Sequence, residues 1–387
     1  MRLYVHVPFC VRKCAYCAFY SEPYRARNAA LFIDQVMTEI SVRAGRIGAA
    51  RVASVYIGGG TPSVLSQEQL GAVLDCVRRC FSVVAGAEIT VEANPESALR
   101  SDFLAGLPDL GVNRLSLGVQ SFRDDMLRLL GRLHSGREAE LAFGAARAAG
   151  LTNIGLDLIW GLPGQTVAAW LEDLRRAVAL GPEHLSCYGL SLEEGTPLAA
   201  RAVRGELALP DEDESVGMYL DGSEFLESRG YAHYEISNYA LPGRESRHNA
   251  GYWAQDDYLG LGPAAVSSWG ARRWTNPADL AEYARCVEAG CPEMNVEKLS
   301  ARIHGRELVM LSLRTSGGLN LERFKAQTGQ DFLQYTRPFV EQLCSRGLAR
   351  LRSGHLQLTR RGMLLGNSVI GMLLDLLDDM PEHMEYS

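Results

Sequence analysis

The sequence predicts an α/β protein: a partial TIM-type barrel, (β/α)6, followed by an α+β region that ends in a winged-helix-like domain. Short β-branched runs alternate with amphipathic helical patterns up to about residue 190. Polar residues, cysteines and glycines stand where the predicted strands end. The alternation stops beyond about residue 200, which indicates a change of architecture.

Six strand–helix units follow one another in the first half of the chain. Ser66 with Gln69 predicts a capping box at the start of one helix, and Thr166 and Gly181 are suited to begin and end another. Such a series implies a parallel sheet with right-handed crossovers, either doubly wound or rolled into a partial barrel. The predicted strands span residues 3–7, 54–57, 88–91, 114–119, 154–159 and 184–190.

The positions of the unusual residues favour the barrel. Cysteines within residues 10–17 follow the first predicted strand, and a glycine run at residues 58–62 follows the second. Glu92, Gln120 and Asp157 lie at or near the ends of the next three strands. Barrels assemble their sites from the carboxyl ends of many strands, whereas a doubly wound sheet binds ligands at one switch point.

Three domains are expected: the barrel at residues 1–200, an extension at 201–295 that covers the barrel mouth, and a helical, winged-helix-like domain at 296–387. The extension has three predicted segments: an acidic helix at 210–230, a strand at 233–237 and a polar loop at 238–253. The last domain has a predicted hairpin, with strands at 348–351 and 355–358, and a final helix at 359–377.

Composition limits the classes of function. Hydrophobic residues make up 47% of the chain and the formal net charge is −7, which is ordinary for a soluble globular protein and argues against a nucleic-acid partner. Arginines gathered near the carboxyl terminus are expected to form a solvated face. The sequence contains no signal-peptide pattern and no apolar stretch of about 18 residues, so a cytoplasmic protein is expected.

Three of the nine cysteines lie close together. Cys10, Cys14 and Cys17 have C-x3-C-x2-C spacing, which in a reducing compartment indicates a metal or redox centre rather than disulfides. Three thiolates on a [4Fe–4S] cluster leave one iron without a protein ligand. The alternative is a structural zinc site with His6 as the fourth ligand.

This triplet resembles the cluster motif of the radical S-adenosylmethionine (SAM) superfamily, and the glycine run resembles the superfamily's motif beside the methionyl amino group. The resemblance implies a [4Fe–4S] cluster whose free iron binds SAM. In the coproporphyrinogen oxidase branch a second SAM is bound, and whether this chain binds one or two stays open. The SAM contacts implied by the resemblance are Tyr4, Tyr16, Gly59, Gly60, Thr61, Glu92, Gln120, Arg132 and Asp157. Without the resemblance, the polar ones among them are ordinary buried groups.

Two features distinguish members of that branch. The porphyrinogen-oxidising enzymes carry a fourth cysteine two positions after the third, where this chain has Phe19. The chain instead resembles HemW-type haem chaperones through an H-N-x-x-Y-W motif, formed by His248, Asn249, Tyr252 and Trp253. An imidazole can ligate haem iron and aromatic faces can cover a porphyrin. The alternative is that the two aromatic side chains pack on the core and His248 makes a local hydrogen bond.

The resemblance implies a haem-handling protein that delivers haem to a respiratory haemoprotein, which can be membrane-bound. It also implies a partner that donates electrons to the cluster. No residue is assigned a catalytic role, and SAM cleavage is left open. The alternative function is oxidative decarboxylation of coproporphyrinogen III in porphyrin metabolism. A zinc-stabilised interaction protein is the third hypothesis.

Overall fold

The computed structural model describes residues 1–48, 50–100 and 102–378. A short 3-10 helix, Pro62–Val64, follows the second long strand. The elements of the barrel half are, in chain order, β1 (Arg2–Val7), β2 (Phe9–Cys10), β3 (Glu22–Pro23), α1 (Ala26–Ile47), β4 (Arg51–Gly59), α2 (Gln67–Cys80), β5 (Ser82–Ala93), α3 (Pro95–Ala98), α4 (Phe103–Gly106), β6 (Arg114–Gln120), α5 (Asp124–Leu130), α6 (Gly136–Ala148), β7 (Ile154–Trp160), α7 (Val167–Leu180), β8 (His184–Gly189) and α8 (Pro197–Val203).

The six predicted strands are β1, β4, β5, β6, β7 and β8, and they lie side by side in that order, all parallel. The predicted α/β partial barrel is therefore confirmed. Its caps are confirmed as well: Ser66 and Gln69 form a capping box, Thr166 caps α7, and Gly181 ends α7 in a left-handed conformation.

Side chains alternate between the two faces of each parallel strand. In β1, Leu3, Val5 and Val7 are fully buried against the helical layer. In β6, Leu115, Leu117 and Val119 are buried in the same way. The intervening residues of each strand therefore face the concave side of the sheet, where they are available for a site.

The second half extends the same sheet at both edges. Strand β11 (Tyr258–Leu261) pairs parallel with β1, and three antiparallel strands follow it. Beyond β8, the strands β10 (Asn238–Ala240) and β9 (Ala232–Glu235) add an antiparallel pair, so the sheet has twelve strands among the described residues. The elements of the extension are α9 (Glu212–Ser228), β9 (Ala232–Glu235), β10 (Asn238–Ala240), α10 (Arg247–Trp253), β11 (Tyr258–Leu261), β12 (Val266–Trp269), β13 (Arg272–Thr275), α11 (Leu280–Glu288) and β14 (Glu297–Lys298).

The predicted polar loop at 238–253 is wrong, because this segment contains β10 and α10. The side chain of Ser246 caps α10, and the carboxylate of Glu88 accepts hydrogen bonds from the backbone N–H groups of Arg247 and His248. A side chain at Gly251 would collide with Arg2, which lies directly on the helix. These contacts come from distant parts of the chain, and they hold the segment as a helix.

Helix α10 covers the amino-terminal ends of the strands, not the mouth beside the cysteines. Its partners Arg2, Ser54 and Glu88 stand in one layer of the sheet, where Arg2 pairs with Ser54 and Ser54 with Glu88. Helix α10 therefore closes the end of the barrel opposite the cysteines, and the expectation that the whole extension, residues 201–295, covers the mouth stays a prediction.

The carboxyl-terminal part has its own hydrophobic cluster, which includes Leu308, Phe324, Leu356 and Leu373. The predicted hairpin is confirmed, and a third strand joins it. The predicted single helix at 359–377 is wrong, because it breaks at Leu365, just before Gly366. The elements are α12 (Ala301–Ser312), β15 (Leu319–Asn320), α13 (Leu321–Thr328), α14 (Phe332–Ser345), β16 (Ala349–Arg352), β17 (His355–Leu358), α15 (Arg360–Leu364) and α16 (Gly366–Asp378).

The domain boundaries at residues 200 and 295 stay predictions. Part of the final predicted domain, residues 379–387, lies outside the described residues. Among the helices that the structure describes, none combines the length and the apolar character needed to cross a membrane.

Candidate functional site

A cavity of about 700 Å³ lies on the concave face of the barrel. Strand β6 lines it with every second residue, because Arg114, Ser116, Gly118 and Gln120 share the face opposite to the buried leucines. The sequence-predicted residues that the structure brings together in this cavity are Cys10, Cys14, Tyr16, Cys17, Gly59, Gly60, Thr61, Glu92, Gln120, Arg132, Asp157 and Asn249.

The three cysteines line one end of this cavity and are partly exposed. The hydroxyl of Thr61 donates to Cys10 Sγ at 3.4 Å, and Arg132 Nη1 donates to Cys14 Sγ at 3.5 Å. The backbone N–H of Ala15 donates to the carbonyl of Leu130 at 2.9 Å, which ties the cysteine loop to the end of α5.

This donor set fits an iron–sulfur cubane. Hydrogen bonds and a guanidinium stabilise thiolates, and each cysteine of a cubane binds a different iron, so the three sulfurs need not converge on one point. Within the described part of the chain, no three Cys, His, Asp or Glu side chains converge as the ligands of a single metal ion would.

His6 is engaged elsewhere. Its Nδ1 pairs with the hydroxyl of Tyr4 and its Nε2 with the carbonyl of Tyr20, both at 3.0 Å. Its ring lines a different cavity from the cysteines. A zinc site with His6 as the fourth ligand would have to break both hydrogen bonds, so this geometry does not support it.

The glycine run is required by the protein's own packing as well as by the cavity. Gly59 has a φ of 108°, and a Cβ there would lie 2.7 Å from the ring of His6. A Cβ at Gly60 would lie 2.6 Å from the carbonyl oxygen of Phe9. Both glycines line the cavity beside the cysteines, where their bare backbone leaves room for a ligand.

Two buried carboxyl groups face the middle of the cavity. Glu92 accepts from the hydroxyl of Tyr56 at 2.6 Å and from the backbone N–H of Gly59 at 3.2 Å. Burial raises its pKa to about 7, and the nearby Asp157 adds to this effect. Asp157 accepts from Ser116 at 3.1 Å, and burial raises its pKa too. Both groups can accept hydrogen bonds from ribose hydroxyls or from an ammonium group.

Gln120 and Arg132 complete the wall near the cysteines. Gln120 has a φ of 66°, which is uncommon for a residue other than glycine, and the pairing of β6 with β7 shifts register there. Arg132 Nη2 donates to Asn94 Oδ1 at 2.6 Å and to the Gly118 carbonyl at 2.7 Å. The local bulge and these bonds fix both side chains against the cavity.

A second cavity, of about 320 Å³, lies beside the first. It contains Tyr4 and Tyr252 from the predicted set. Phe19 lines both cavities and is 71% exposed. The remaining walls of the second cavity are His6, Tyr20, Tyr258 and small side chains at the start of β12.

His248 and Trp253 line neither cavity. The Nδ1 atom of His248 pairs with Ser54 Oγ and its Nε2 with the hydroxyl of Tyr252, both at 2.9 Å. Burial lowers the pKa of this histidine to about 3, so its ring is neutral. Haem ligation by His248 would require one of these hydrogen bonds to break, and the ring at present positions Tyr252.

Sequence reasoning missed several residues of the main cavity, notably Asn94, Arg114, His184 and Tyr188. The alternation of side chains along β6 was a usable signal for Arg114. Arg114 stands six residues before Gln120, and residues an even number apart lie on the same face of a strand. No local signal pointed to Asn94, which lies after β5 and reaches the site through Arg132 and Thr61.

The six parallel strands, with a cysteine triplet after the first and a glycine run after the second, are the fold and site of a radical SAM protein. The family model for the Radical SAM superfamily matches residues 4–177, and the model for the HemN C-terminal domain matches residues 299–365. A solved structure with the same fold is coproporphyrinogen III oxidase (HemN) from Escherichia coli, with a TM-score of 0.82 and 26% identity over 97% of this chain and 89% of that one.

Curated relatives match over almost the whole chain. The heme chaperone HemW of Mycobacterium tuberculosis is 38% identical over 96% of this chain and 94% of its own length. The heme chaperone HemW of Bacillus subtilis is 34% identical over 96% of this chain and 98% of its own length. The chain therefore belongs to the radical SAM superfamily and, within it, to the family of the HemW proteins.

Proposed function

We propose that this chain is a haem chaperone, which binds haem and passes it to haemoproteins. The near-full-length similarity to two proteins named as heme chaperones carries this proposal. Phe19 supports it, because the resemblance places a fourth cysteine at this position in the porphyrinogen-oxidising enzymes. The clients are haemoproteins of respiration, and the chain works in the cytoplasm.

The same proposal includes two cofactors. Cys10, Cys14 and Cys17 would hold a [4Fe–4S] cluster, and the backbone of Gly59 and Gly60 with Thr61 would hold SAM beside it. Such a cluster, when bound and reduced, would supply an electron to the sulfonium of SAM. Tyr16, Glu92, Gln120, Arg132 and Asp157 would bind and orient the nucleoside and exclude water around it.

We place haem against the second cavity. Tyr4, Phe19, Tyr252 and Tyr258 present aromatic rings there, and a porphyrin packs favourably on such faces. Because Phe19 also lines the cysteine cavity, haem bound here would adjoin the cluster. His248 acts on this site by holding Tyr252, and Trp253 and Asn249 belong to the same helix without lining this cavity.

Haem titration of single variants tests this placement. The Tyr252→Ala variant should bind haem at least about tenfold more weakly because the ring is lost, whereas Tyr252→Phe should keep most of the affinity. His248→Ala should have an intermediate effect. Equal affinities for wild type and Tyr252→Ala would remove the second cavity from the proposal.

A second candidate function is oxidative decarboxylation of coproporphyrinogen III. The structural likeness to HemN over 97% of this chain favours it. Reconstituted protein would be incubated anaerobically with coproporphyrinogen III, SAM and a reductant. We expect no protoporphyrinogen, and its appearance at a catalytic rate would reverse the order of the two candidates.

A further inference from the structure

The second cavity offers few groups that can bind a haem iron. Proteins hold haem iron through histidine, cysteine, methionine or tyrosine. Among the residues that the structure describes, the walls of this cavity contain one histidine, no cysteine, no methionine and four tyrosines. The histidine is His6, and both of its ring nitrogens are engaged: Nε2 donates to the carbonyl of Tyr20, so Nδ1 accepts from the hydroxyl of Tyr4. A tyrosine hydroxyl is therefore the group left to bind iron here.

Three of the four tyrosine hydroxyls already face a hydrogen-bond partner that can accept their proton. Tyr4 donates to the histidine, and the hydroxyl of Tyr20 donates to the carboxylate of Glu22. The hydroxyl of Tyr252 pairs with Nε2 of His248 at 2.9 Å. Iron binding by any of these three oxygens would break an existing hydrogen bond.

The fourth hydroxyl, that of Tyr258, has different surroundings. It donates to no acceptor in the described part of the chain, and it lies beside the guanidinium of Arg273. Burial raises the pKa of this phenol, whereas the charge and the hydrogen bond of Arg273 act in the opposite direction. A cation beside a phenol oxygen favours the phenolate, which is the form that binds ferric iron.

Strand register brings Arg273 to this position. Tyr258 of β11 stands opposite Ser268 of β12, which in turn stands opposite Arg273 of β13. Side chains directly opposite one another in antiparallel strands share a face of the sheet, so Tyr258 and Arg273 lie on one face with a serine between them. The short side chain of Ser268 leaves room for the long arginine to reach across to the phenol.

Two carboxylates hold Arg273 without using all of its donors. Glu307 of α12 accepts from Nη1 at 2.7 Å and from Nη2 at 2.9 Å, and Glu297 accepts from Nη1 at 3.3 Å. The second hydrogen of Nη2 and the Nε–H have no other acceptor within the described ranges, so they remain for a phenol oxygen. Because Glu307 also raises the pKa of Tyr258, the hydroxyl keeps its proton until a metal displaces it.

We infer that Tyr258 is the axial ligand of ferric haem bound in the second cavity, with Arg273 supporting its phenolate. The inference rests on the proposed function and deepens it. On binding, the phenol O–H bond breaks, an Fe–O bond forms and the proton leaves to water, so the step needs no oxidant or reductant. The rings of Tyr4, Phe19 and Tyr252 pack against the porphyrin without contacting the iron.

A porphyrin with and without iron separates ligation from packing. The affinity of the reconstituted full chain would be measured anaerobically, without reductant, for ferric haem and for metal-free protoporphyrin IX. Wild type should bind haem at least about tenfold more tightly than the iron-free porphyrin, because only haem gains the Fe–O bond. Tyr258→Phe should lose this preference but keep its affinity for the iron-free porphyrin, which also shows that the variant is folded. Arg273→Gln should keep part of the preference, and Tyr335→Phe, outside both cavities, should keep all of it.

The absorption spectrum of the bound ferric haem gives a second measurement. Wild type should show the charge-transfer band of a ferric phenolate, and Tyr258→Phe should lack it. A preference and a spectrum in Tyr258→Phe equal to those of wild type would overturn the inference and leave the proposed function intact. So would a wild type that binds haem no more tightly than the iron-free porphyrin. If neither porphyrin binds, the proposed function itself fails and the inference falls with it.

Discussion

Arg132 illustrates how single residues act on the cysteine end of the site. Its guanidinium contacts a cysteine sulfur, an asparagine and a backbone carbonyl at once, and it is largely enclosed. The neutral hydroxyl of Thr61 donates a single hydrogen bond to Cys10 Sγ. A positive charge and hydrogen bonds at the sulfurs favour the reduced, more negative form of a cluster.

Replacing Arg132 should therefore lower the reduction potential of the reconstituted cluster. For Arg132→Gln we expect a midpoint about 60 mV more negative, since a charged hydrogen bond contributes on the order of 1.5 kcal/mol and a one-electron couple moves about 59 mV for each tenfold change. Thr61→Val should move it less. A redox titration followed by EPR measures both, and an unchanged potential in Arg132→Gln would refute the contact's role.

At the scale of elements, a buried polar network joins α1 to the extension. Glu39 accepts from the backbone N–H of Gly262 at 2.9 Å, from Asn276 Nδ2 at 2.8 Å and from the hydroxyl of Tyr283 at 2.7 Å. Arg43 lies 3.5 Å away as its ion-pair partner. The network fixes the loop after β11 and helix α11 against the barrel.

Replacing Glu39, which lies at the centre of this network, should lower the free energy of unfolding far more than replacing Tyr283 at its periphery. Glu39→Ala removes the acceptor of three donors and the ion-pair partner of the buried Arg43 guanidinium, and we expect a loss of about 3–5 kcal/mol in the free energy of unfolding. Tyr283→Phe removes one hydrogen bond, and we expect about 1–2 kcal/mol. Urea denaturation compares the two, and equal losses would contradict the account.

Strand β9 joins the barrel sheet to the carboxyl-terminal part. The N–H of Ile236 donates to the carbonyl of Arg314 at 2.9 Å, and that of Ser316 to Tyr234 at 3.0 Å. Glu235 lies in this junction, is 1% exposed, and its Oε1 has no hydrogen-bond partner. Burial raises its pKa to about 7.

This junction should weaken as the pH rises. Because the pKa of Glu235 is higher in the folded chain than the ordinary value of 4.5, its neutral form favours folding at low pH, and that stability is lost as the pH rises through about 7. Between pH 5 and pH 8, the free energy of unfolding of Glu235→Gln should rise by about 2–3 kcal/mol relative to that of wild type. Exposed Glu224→Gln is the control; a pH-independent difference for Glu235→Gln would exclude this explanation.

The sequence predicted the regular elements well and the long-range contacts poorly. The six parallel strands were found because each carries a β-branched run, and several helices because their caps are local. The helix of the H-N-x-x-Y-W motif was missed because Asn249, Gly251 and Trp253 give little helix propensity and no apolar period. It depends on Glu88 and Ser54, which lie about 160 and 194 positions away.

The same limit applies to the site. The spacing of the cysteines and the position of Gln120 identified one end of the cavity, because both follow from strand ends. Arg114 and His184 lie at the starts of their strands. The alternation of β6 indicates the concave face for Arg114, but nothing near His184 distinguishes it from a core polar residue, and only the complete fold brings the two residues into one cavity.

In the whole molecule, strands from the barrel half and from the extension belong to one sheet, and both contribute residues to its concave face. The barrel strands carry the cysteine cavity, β1 and the extension carry the aromatic cavity, and α10 closes the amino-terminal end. The two cavities meet at Phe19. This arrangement suits a protein in which a redox centre and a flat, apolar cargo adjoin.

The central claim is that the three cysteines hold a cluster with one iron open to SAM. Anaerobically reconstituted wild type should contain about four irons per chain and give a reduced EPR signal that changes on addition of SAM. Cys10→Ala, Cys14→Ala and Cys17→Ala should each lose this signal, while Cys344→Ala, outside the site, should retain it. An iron content and spectrum that stay the same in all four variants, or a wild-type spectrum indifferent to SAM, would contradict the claim.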